Sequence, residues 1–206
     1  MKTYPSIPNL PFDAINGKYI IAFNKLDGSN IRAEWSKKKG FYKFGSRKHL
    51  INKNDPQLGE SISLIEDSSS KIEKVLTDKK IDRAVCFFEY WGEKSQFGYH
   101  DKDDKHYVTL IDISLYKKGM LVPEEFVKWF DKDIVPDILF EGNVDYEFYY
   151  SIKNGTLPGL GSEGVVCKSG IEKHQGLWMS KIKRQSWLDK LKSFCKDDDR
   201  KYKELA

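Results

Sequence analysis

Several short segments set charged side chains at the ends of runs that read as strands, where a fold can hold a reactive group in one direction. The run Tyr19 to Trp35 contains two such strands joined by Lys25-Leu26-Asp27-Gly28. A lysine amine at a strand end can attack phosphorus when neighbouring cations keep it neutral. The plain alternative is a β-hairpin in which Asp27-Gly28 supplies the turn and Lys25 is a solvated charge. Phe87-Phe88-Glu89-Tyr90-Trp91-Gly92 sets one carboxylate among aromatics, as an edge-strand charge or as an acceptor for a ribose hydroxyl with rings nearby for a base. Leu110-Ile111-Asp112-Ile113 is a strand with a single acid. In Glu163-Gly164-Val165-Val166-Cys167-Lys168, alternation separates Glu163, Val165 and Cys167 from Gly164, Val166 and Lys168, and the glycine admits close approach of a ligand or backbone. Lys181-Ile182-Lys183 puts two ammonium groups on one strand face, a geometry that grips successive phosphates.

Two other spellings carry no such chemistry. Gly159-Leu160-Gly161-Ser162-Glu163-Gly164 matches G-x-G-x-x-G, but it follows Pro158 and leads into a strand-like run, whereas a dinucleotide fingerprint follows a strand and opens a helix. The G-x-x-x-x-G-K-[ST] spelling of a P-loop is absent. His49, His100, His106 and His174 show no ligand spacing and read as surface or structural residues. Asn154-Gly155-Thr156 spells a sequon that an intracellular chain leaves unused.

Runs rich in β-branched and aromatic residues predict strands over 19–23, 30–35, 40–44, 84–91, 107–116 and 164–168. Apolar residues three or four apart predict helices over 58–76, broken near its serines, over 124–130 after Pro123, and over 187–194, where Trp187, Leu188, Leu191 and Phe194 form the apolar face. The mixture predicts an α+β fold built mainly on antiparallel sheet. At 206 residues, 39% hydrophobic and 14% aromatic, the chain suits one domain with a sizeable core. No apolar run approaches the ~20 residues that span a bilayer. Met1 to Leu10 lacks the apolar stretch of a secretory signal. Cys86, Cys167 and Cys195 are odd in number and far apart, which argues against a disulfide framework or zinc knuckle. A cytoplasmic chain with no membrane role and reduced structural thiols is the expectation. The net charge of +4 suits a polyanionic partner. From Lys181 to Ala206 nine Lys and Arg stand against five Asp and Glu, a basic tail.

These segments, in this order, resemble the covalent nucleotidyltransferase superfamily of DNA ligases, RNA ligases and mRNA capping enzymes. Lys25-Leu26-Asp27-Gly28 is similar to motif I, Gly45-Ser46-Arg47 to motif Ia, Phe88 to Gly92 to motif III, Leu110 to Ile113 to motif IIIa, Glu163 to Lys168 to motif IV and Lys181-Ile182-Lys183 to motif V. The resemblance implies a ligase-type nucleotidyltransferase domain, antiparallel sheets flanked by helices, over residues 1–206. Residues 184–206 are then a short helical and basic tail, with no C-terminal OB-fold. It implies a polynucleotide ligase that consumes ATP with Mg²⁺ or Mn²⁺ and joins 3′-hydroxyl to 5′-phosphate ends through a lysyl-AMP intermediate and an adenylylated 5′ end. Lys25 is then the nucleophile, with Lys181 and Lys183 clamping the α-phosphate. Asn24, Lys25, Arg47, Glu89, Ile111, Lys168, Lys181 and Lys183 surround the nucleotide, Glu89 taking the ribose hydroxyl. Asn30, Arg32 and Arg47 meet the nucleic-acid end, and Glu163 with Asp27 orients the metal shell.

Lys25-Leu26-Asp27-Gly28-Ser29-Asn30 resembles the RNA ligase 2 type, where an asparagine after motif I helps position the nick phosphate; many DNA ligases carry arginine there. This implies an RNA ligase acting on RNA or nicked duplex as a monomer. A minimal DNA or hybrid-nick ligase, another covalent nucleotidyltransferase, and a non-catalytic nucleic-acid-binding module are the alternatives. The superfamily often has an aromatic residue where Ile111 stands, so Phe97 or Tyr107 is left to stack on the base. Substrate grip is expected from the domain face and the basic tail, weakening with salt.

Overall fold

The computed structural model describes residues 1–172, 176–196 and 198–206, so His174 lies outside the described residues. In chain order the elements are α1 (Phe12–Ile15), β1 (Tyr19–Lys25), β2 (Gly28–Ser36), β3 (Gly40–Ser46), β4 (Leu50–Ile51), α2 (Gly59–Asp78), β5 (Arg83–Gly92), β6 (His106–Leu115), β7 (Gly119–Met120), α3 (Pro123–Trp129), β8 (Ile138–Asn143), α4 (Tyr146–Asn154), β9 (Gly164–Glu172), β10 (Gly176–Lys183), α5 (Gln185–Cys195) and α6 (Asp199–Leu205). The α+β expectation holds. The strands form two sheets, ordered β10-β9-β1-β8 and β4-β3-β2-β5-β6-β7. The expected 1–206 domain resolves into two compact units. One comprises Met1–Ser6, Gly28–Pro136 and Ile171–Leu177; the other comprises Ile7–Asp27, Asp137–Gly170 and Trp178–Ala206.

Motif I does not make a hairpin. β1 pairs with β8 and β9, while β2 pairs with β3 and β5, so Leu26-Asp27 is a crossing from one sheet to the other. Gly28 is required for proximity rather than for a turn: a Cβ there would lie 2.2 Å from the Tyr90 carbonyl oxygen on β5.

In the six-stranded unit, α2 buries Ile62, Ile65, Ile72 and Leu76, one face of a helix spaced for core packing. The expected break at its serines is absent. Ser68 donates to the Leu64 carbonyl at 2.9 Å and Ser69 to the Glu66 carbonyl at 2.7 Å, so these hydroxyls bond back along the helix instead of competing with it.

In the four-stranded unit, Ile20 and Ala22 of β1, Val165 and Cys167 of β9 and Ile182 of β10 form one sheet face, covered by Phe148 and Ile152 of α4. The Phe140 and Phe148 rings stack at 4.0 Å. Sequence reading omits both β8 and α4. The composition of α4, with three tyrosines and a phenylalanine, resembles a strand. Its caps are the helix signal: Asp145 accepts from the Phe148 N–H, and Gly155 closes the helix at φ 75°. α5 buries Trp187, Leu191 and Cys195 and leaves Phe194 44% exposed under Lys201, so the buried stripe is turned from the expected one. All three cysteines are free and buried; burial pushes the Cys167 thiol up to about 12.

The glycine that opens β9 is the tightest point of this sheet. Gly164 sits at φ +142°, and a Cβ would lie 2.1 Å from the Ile182 carbonyl oxygen. Gly164→Ala is expected to destabilise the protein by about 2–4 kcal/mol in chemical denaturation, through backbone strain and collision. Gly170→Ala, with nothing within 4 Å of its Cβ, should change stability by less than about 0.5 kcal/mol.

Candidate active site

Alternation along the four-stranded sheet gives its two faces different chemistry. Opposite the apolar core, β1 presents Ile21, Phe23 and Lys25, β9 presents Val166 and Lys168, and β10 presents Lys181 and Lys183. The register sets Lys25 against Gly164, Phe23 against Val166 and Ile21 against Lys168. One sheet face therefore carries four lysines. Lys168 is 2% exposed with its Nζ 4.7 Å from the Phe23 ring centroid. Lys183 is also 2% exposed, its Nζ 3.9 Å from the Trp187 ring centroid.

Glu163, just before β9, binds two of these cations at once. Its Oε2 accepts from Lys25 Nζ at 2.8 Å, and its Oε1 lies 2.9 Å from Lys183 Nζ. Burial pushes the Glu163 carboxyl up, but Lys25 and Lys183 outweigh it and hold the group below the usual carboxylate range. Burial acts on Lys183 in the same sense as the positive charge of Lys25, and its amine is held below the ordinary lysine range although Glu163 opposes this. Lys183 Nζ also donates to the Leu205 carbonyl of α6 at 2.7 Å. Asp27 accepts from Trp187 Nε1 at 2.7 Å, which ties the segment after Lys25 to α5.

Glu163 and Asp27, expected to orient a metal shell, are both engaged by other side chains of the protein. Both Glu163 oxygens face ammonium groups, Asp27 is engaged by an indole, and no three His, Cys, Asp or Glu side chains gather to hold an ion among the described residues. The residues of this face fit an oxyanion, for which a dense set of lysines with one bridging acid is suited.

The six-stranded unit holds the other expected residues. Asn30 pairs with Glu89 across β2 and β5, and Arg32 pairs with Phe87, so Asn30, Arg32 and Glu89 share a face. Asn30 Oδ1 and Arg32 Nε are buried without a hydrogen-bond partner in the structure, which fits a polar ligand on this face. Arg32 is 8% exposed and donates to the Met1 carbonyl at 3.2 Å. Ile111 is the residue that the β5–β6 register skips, since Phe87 pairs with Asp112 and Phe88 with Leu110. It marks a bulge of the kind that re-aims side chains. Tyr107 is stacked on Trp91 at 5.0 Å, on the Glu89 face of the sheet. Phe97 adopts φ 55°, rare for a bulky residue. Asn24 points away from Lys25, its Oδ1 accepting from the Gly161 N–H at 3.0 Å, and so anchors the loop before β9.

Sequence reasoning missed Tyr4. Its hydroxyl donates to Asp112 Oδ2 at 2.5 Å, and its ring lies 5.0 Å from Phe87. Burial, then the Asp112 charge and hydrogen bond, raise the phenol well above its ordinary range; Glu89 and Arg47 act on it with opposite signs. No spacing in Met1 to Leu10 signals this, because the partner is 108 positions away. The bond from the Trp187 indole to Asp27, 160 positions away, was missed for the same reason, and the Leu205 carbonyl on Lys183 was missed as well.

A family model described as RNA ligase matches residues 18–184. No curated protein matches the chain. Twenty-six chains of solved structures match. The Naegleria gruberi RNA ligase with PPi is similar at TM-score 0.64 and 18% identity, over 94% of this chain and 58% of that one. An arginine-to-alanine variant of that ligase with ATP and Mn gives TM-score 0.65 at 18% identity, over 92% and 58%. A glutamate-to-alanine variant with AMP and Mn gives 0.62 at 18%, over 92% and 58%. The chain spans less than two thirds of these neighbours' length, and at such identity the likeness concerns the fold.

Glu163→Gln keeps the shape and removes the charge that faces Lys25 and Lys183. At neutral pH it is expected to cost about 3 kcal/mol, the scale of breaking a buried pair. Because the folded carboxyl is held below its unfolded value, its contribution is complete above the ordinary glutamate range and fades as pH falls through the depressed folded value. Urea denaturation of both proteins across acid pH should show the gap closing. A gap of constant size would refute the charge argument.

Proposed function

Because the chain belongs to the RNA ligase family, we propose that it is an ATP-dependent RNA ligase that works through a covalent lysyl-AMP. The observation that carries this reading is Glu163 bridging Lys25 and Lys183 on a sheet face that also presents Lys168 and Lys181. In the first step Lys25 Nζ attacks the α-phosphorus of ATP. Lys25 first gives up its ammonium proton to solvent; a P–N bond then forms, the bond from the α-phosphorus to the α–β bridging oxygen breaks with its electron pair leaving on pyrophosphate, and the second amine proton is released as the phosphoramidate forms. The AMP then passes to a 5′-phosphate end, and a 3′-hydroxyl displaces it to form the phosphodiester.

Phosphoryl transfer asks for positioning and charge neutralisation more than for covalent chemistry from the protein. Lys181 and Lys183 are assigned to the α-phosphate, where charge grows in the transition state. Glu163 directs the Lys25 amine and keeps the face from accumulating unbalanced positive charge. ATP with Mn, PPi, and AMP with Mn in the neighbouring ligase structures support this reading, since ATP is the substrate of such a first step, PPi its leaving group, and AMP the group that is transferred and finally released. A divalent cation bound to the triphosphate would supply charge neutralisation there. The ribose role of Glu89, the nucleotide roles of Lys168 and Ile111, and the end-binding roles of Asn30, Arg32 and Arg47 are proposed from the motif resemblance. The orphaned atoms of Asn30 and Arg32 support a ligand on their face.

Incubation with α-labelled ATP and a divalent cation should leave a label on the denatured protein. Lys25→Ala should abolish it. Lys183→Ala and Lys181→Ala should each slow adduct formation by about 10²–10³-fold, or about 3 kcal/mol. The adduct should then be discharged on nicked RNA with sealing. No adduct, an adduct that persists in Lys25→Ala, or sealing of all-DNA nicks alone would each overturn the proposal.

A further inference from the structure

The densest run of positive charge in this protein lies around β3. Residues 35–54 contain Lys37, Lys38, Lys39, Lys43, Arg47, Lys48 and Lys53, and no acid. Removing these seven from the 35 Lys and Arg leaves 28 against 31 Asp and Glu, so the rest of the chain is net negative. The basic tail is the second positive stretch, but its nine bases come with five acids, whereas the run over 35–54 carries seven with none.

The structure gives this run a shape. Lys37, Lys38 and Lys39 form the exposed tip between β2 and β3, closed by the Lys39 N–H to the Ser36 carbonyl at 3.1 Å. β3 then runs along the sheet margin, covered only at Phe44 and Gly45 by the two residues of β4. Arg47 and Lys48 stand exposed at its far end. Beside β3 lies an open groove of about 290 Å³. Tyr42, Phe44, Leu50 and Ile62 give it apolar walls, and Lys43 and Lys53 flank them. Tyr42 is 39% and Leu50 55% exposed. The groove's acid, Glu66, is paired with Lys53 at 2.5 Å.

We propose that the β3–β4 margin is a docking surface for single-stranded RNA, bases against Tyr42 and Leu50 and phosphates along the lysines. The inference rests on the ligase reading above for its RNA partner and goes beyond it in placing the strand outside the nucleotide chemistry. Lysines at a sheet margin also discourage edge-to-edge pairing. That role does not call for Arg47, Lys48 and Lys53 beyond the strand, nor for exposed apolar side chains beside them. Rings and aliphatic surface within a basic track are what sequence-tolerant binding of single strands requires. Seven residues of β3 extend about 23 Å at ~3.3 Å each, room for several nucleotides. The track ends at Arg47, whose charge reaches Tyr4 in company with Glu89.

The test is binding of the full chain to a labelled single-stranded RNA bearing a 5′-hydroxyl, without ATP, by fluorescence anisotropy across salt concentrations. The combined variant Lys37→Glu, Lys38→Glu, Lys39→Glu should weaken binding at least tenfold and flatten the log–log salt slope by about 2, as expected for three lost phosphate contacts at ~0.7 each. Tyr42→Ala should weaken binding several-fold with the slope unchanged. Lys190→Glu with Lys192→Glu on α5 should change it less than twofold. Adduct formation with ATP should be unaffected in all three, which also reports that they fold. Wild-type binding by the lysine variant, or loss through the α5 variant alone, would overturn the proposal. Equal affinity for poly-glutamate or phosphatidylserine vesicles would overturn it too. If no adduct forms in any protein while the β3 variants still lose RNA, the ligase reading fails and this surface stands.

Discussion

A single buried carboxylate makes the lysine face of the four-stranded unit possible. Glu163 is 3% exposed and meets Lys25 and Lys183 at once. Without it, two ammonium groups, one of them buried, would lose the carboxylate that faces both, and burial alone already disfavours the charged form of Lys183. The placement of Glu163 depends in turn on Gly164, whose missing side chain lets the β10 backbone approach. Acid, glycine and lysines are thus one geometric unit: the glycine brings β10 near, β10 brings Lys183, and the acid holds it beside Lys25.

The six-stranded unit solves a comparable problem with a neutral partner. Asp112 lies in the sheet at 1% exposure and is met by the Tyr4 hydroxyl from the N-terminal segment. The same segment takes up Arg32 through the Met1 carbonyl and Ser114 through Lys2 at 3.0 Å. Residues with no pattern of their own therefore satisfy polar groups of β2 and β6, while Asn30 Oδ1 and Arg32 Nε stay buried without a hydrogen-bond partner.

Charge shows how composition and placement differ. A net of +4 spread evenly would be a weak hint of a polyanionic partner. Seven bases with no acid in twenty residues around β3 make a track with a direction, while the tail, whose nine bases are interleaved with five acids, contributes helices. There α5 holds Asp27 through Trp187, and α6 reaches Lys183. The tail is thus packed against the lysine face rather than merely trailing as a basic extension.

The sequence by itself determined the strand and helix types wherever a period was clean, and it determined the order of the motif residues, because alternation and spacing are local properties. It also identified the glycine-rich spelling before β9 as no dinucleotide site, since the strand that follows is legible in Val165-Val166-Cys167. It could not decide that β1 and β2 belong to different sheets. Asp27-Gly28 has the local chemistry of a turn, and only the pairing of β2 with β5, which places the Tyr90 carbonyl against Gly28, shows that the glycine answers a tertiary need. Asn24 reads as part of the motif beside Lys25, yet alternation turns it to the opposite face, where Gly161 claims it. Tyr4 with Asp112, and Glu163 with Lys25, are 108 and 138 positions apart, and such partners are decided by the fold. The residue types needed for the chemistry are written along the chain. Which of them meet depends on long-range strand pairing, a free energy that no local window contains.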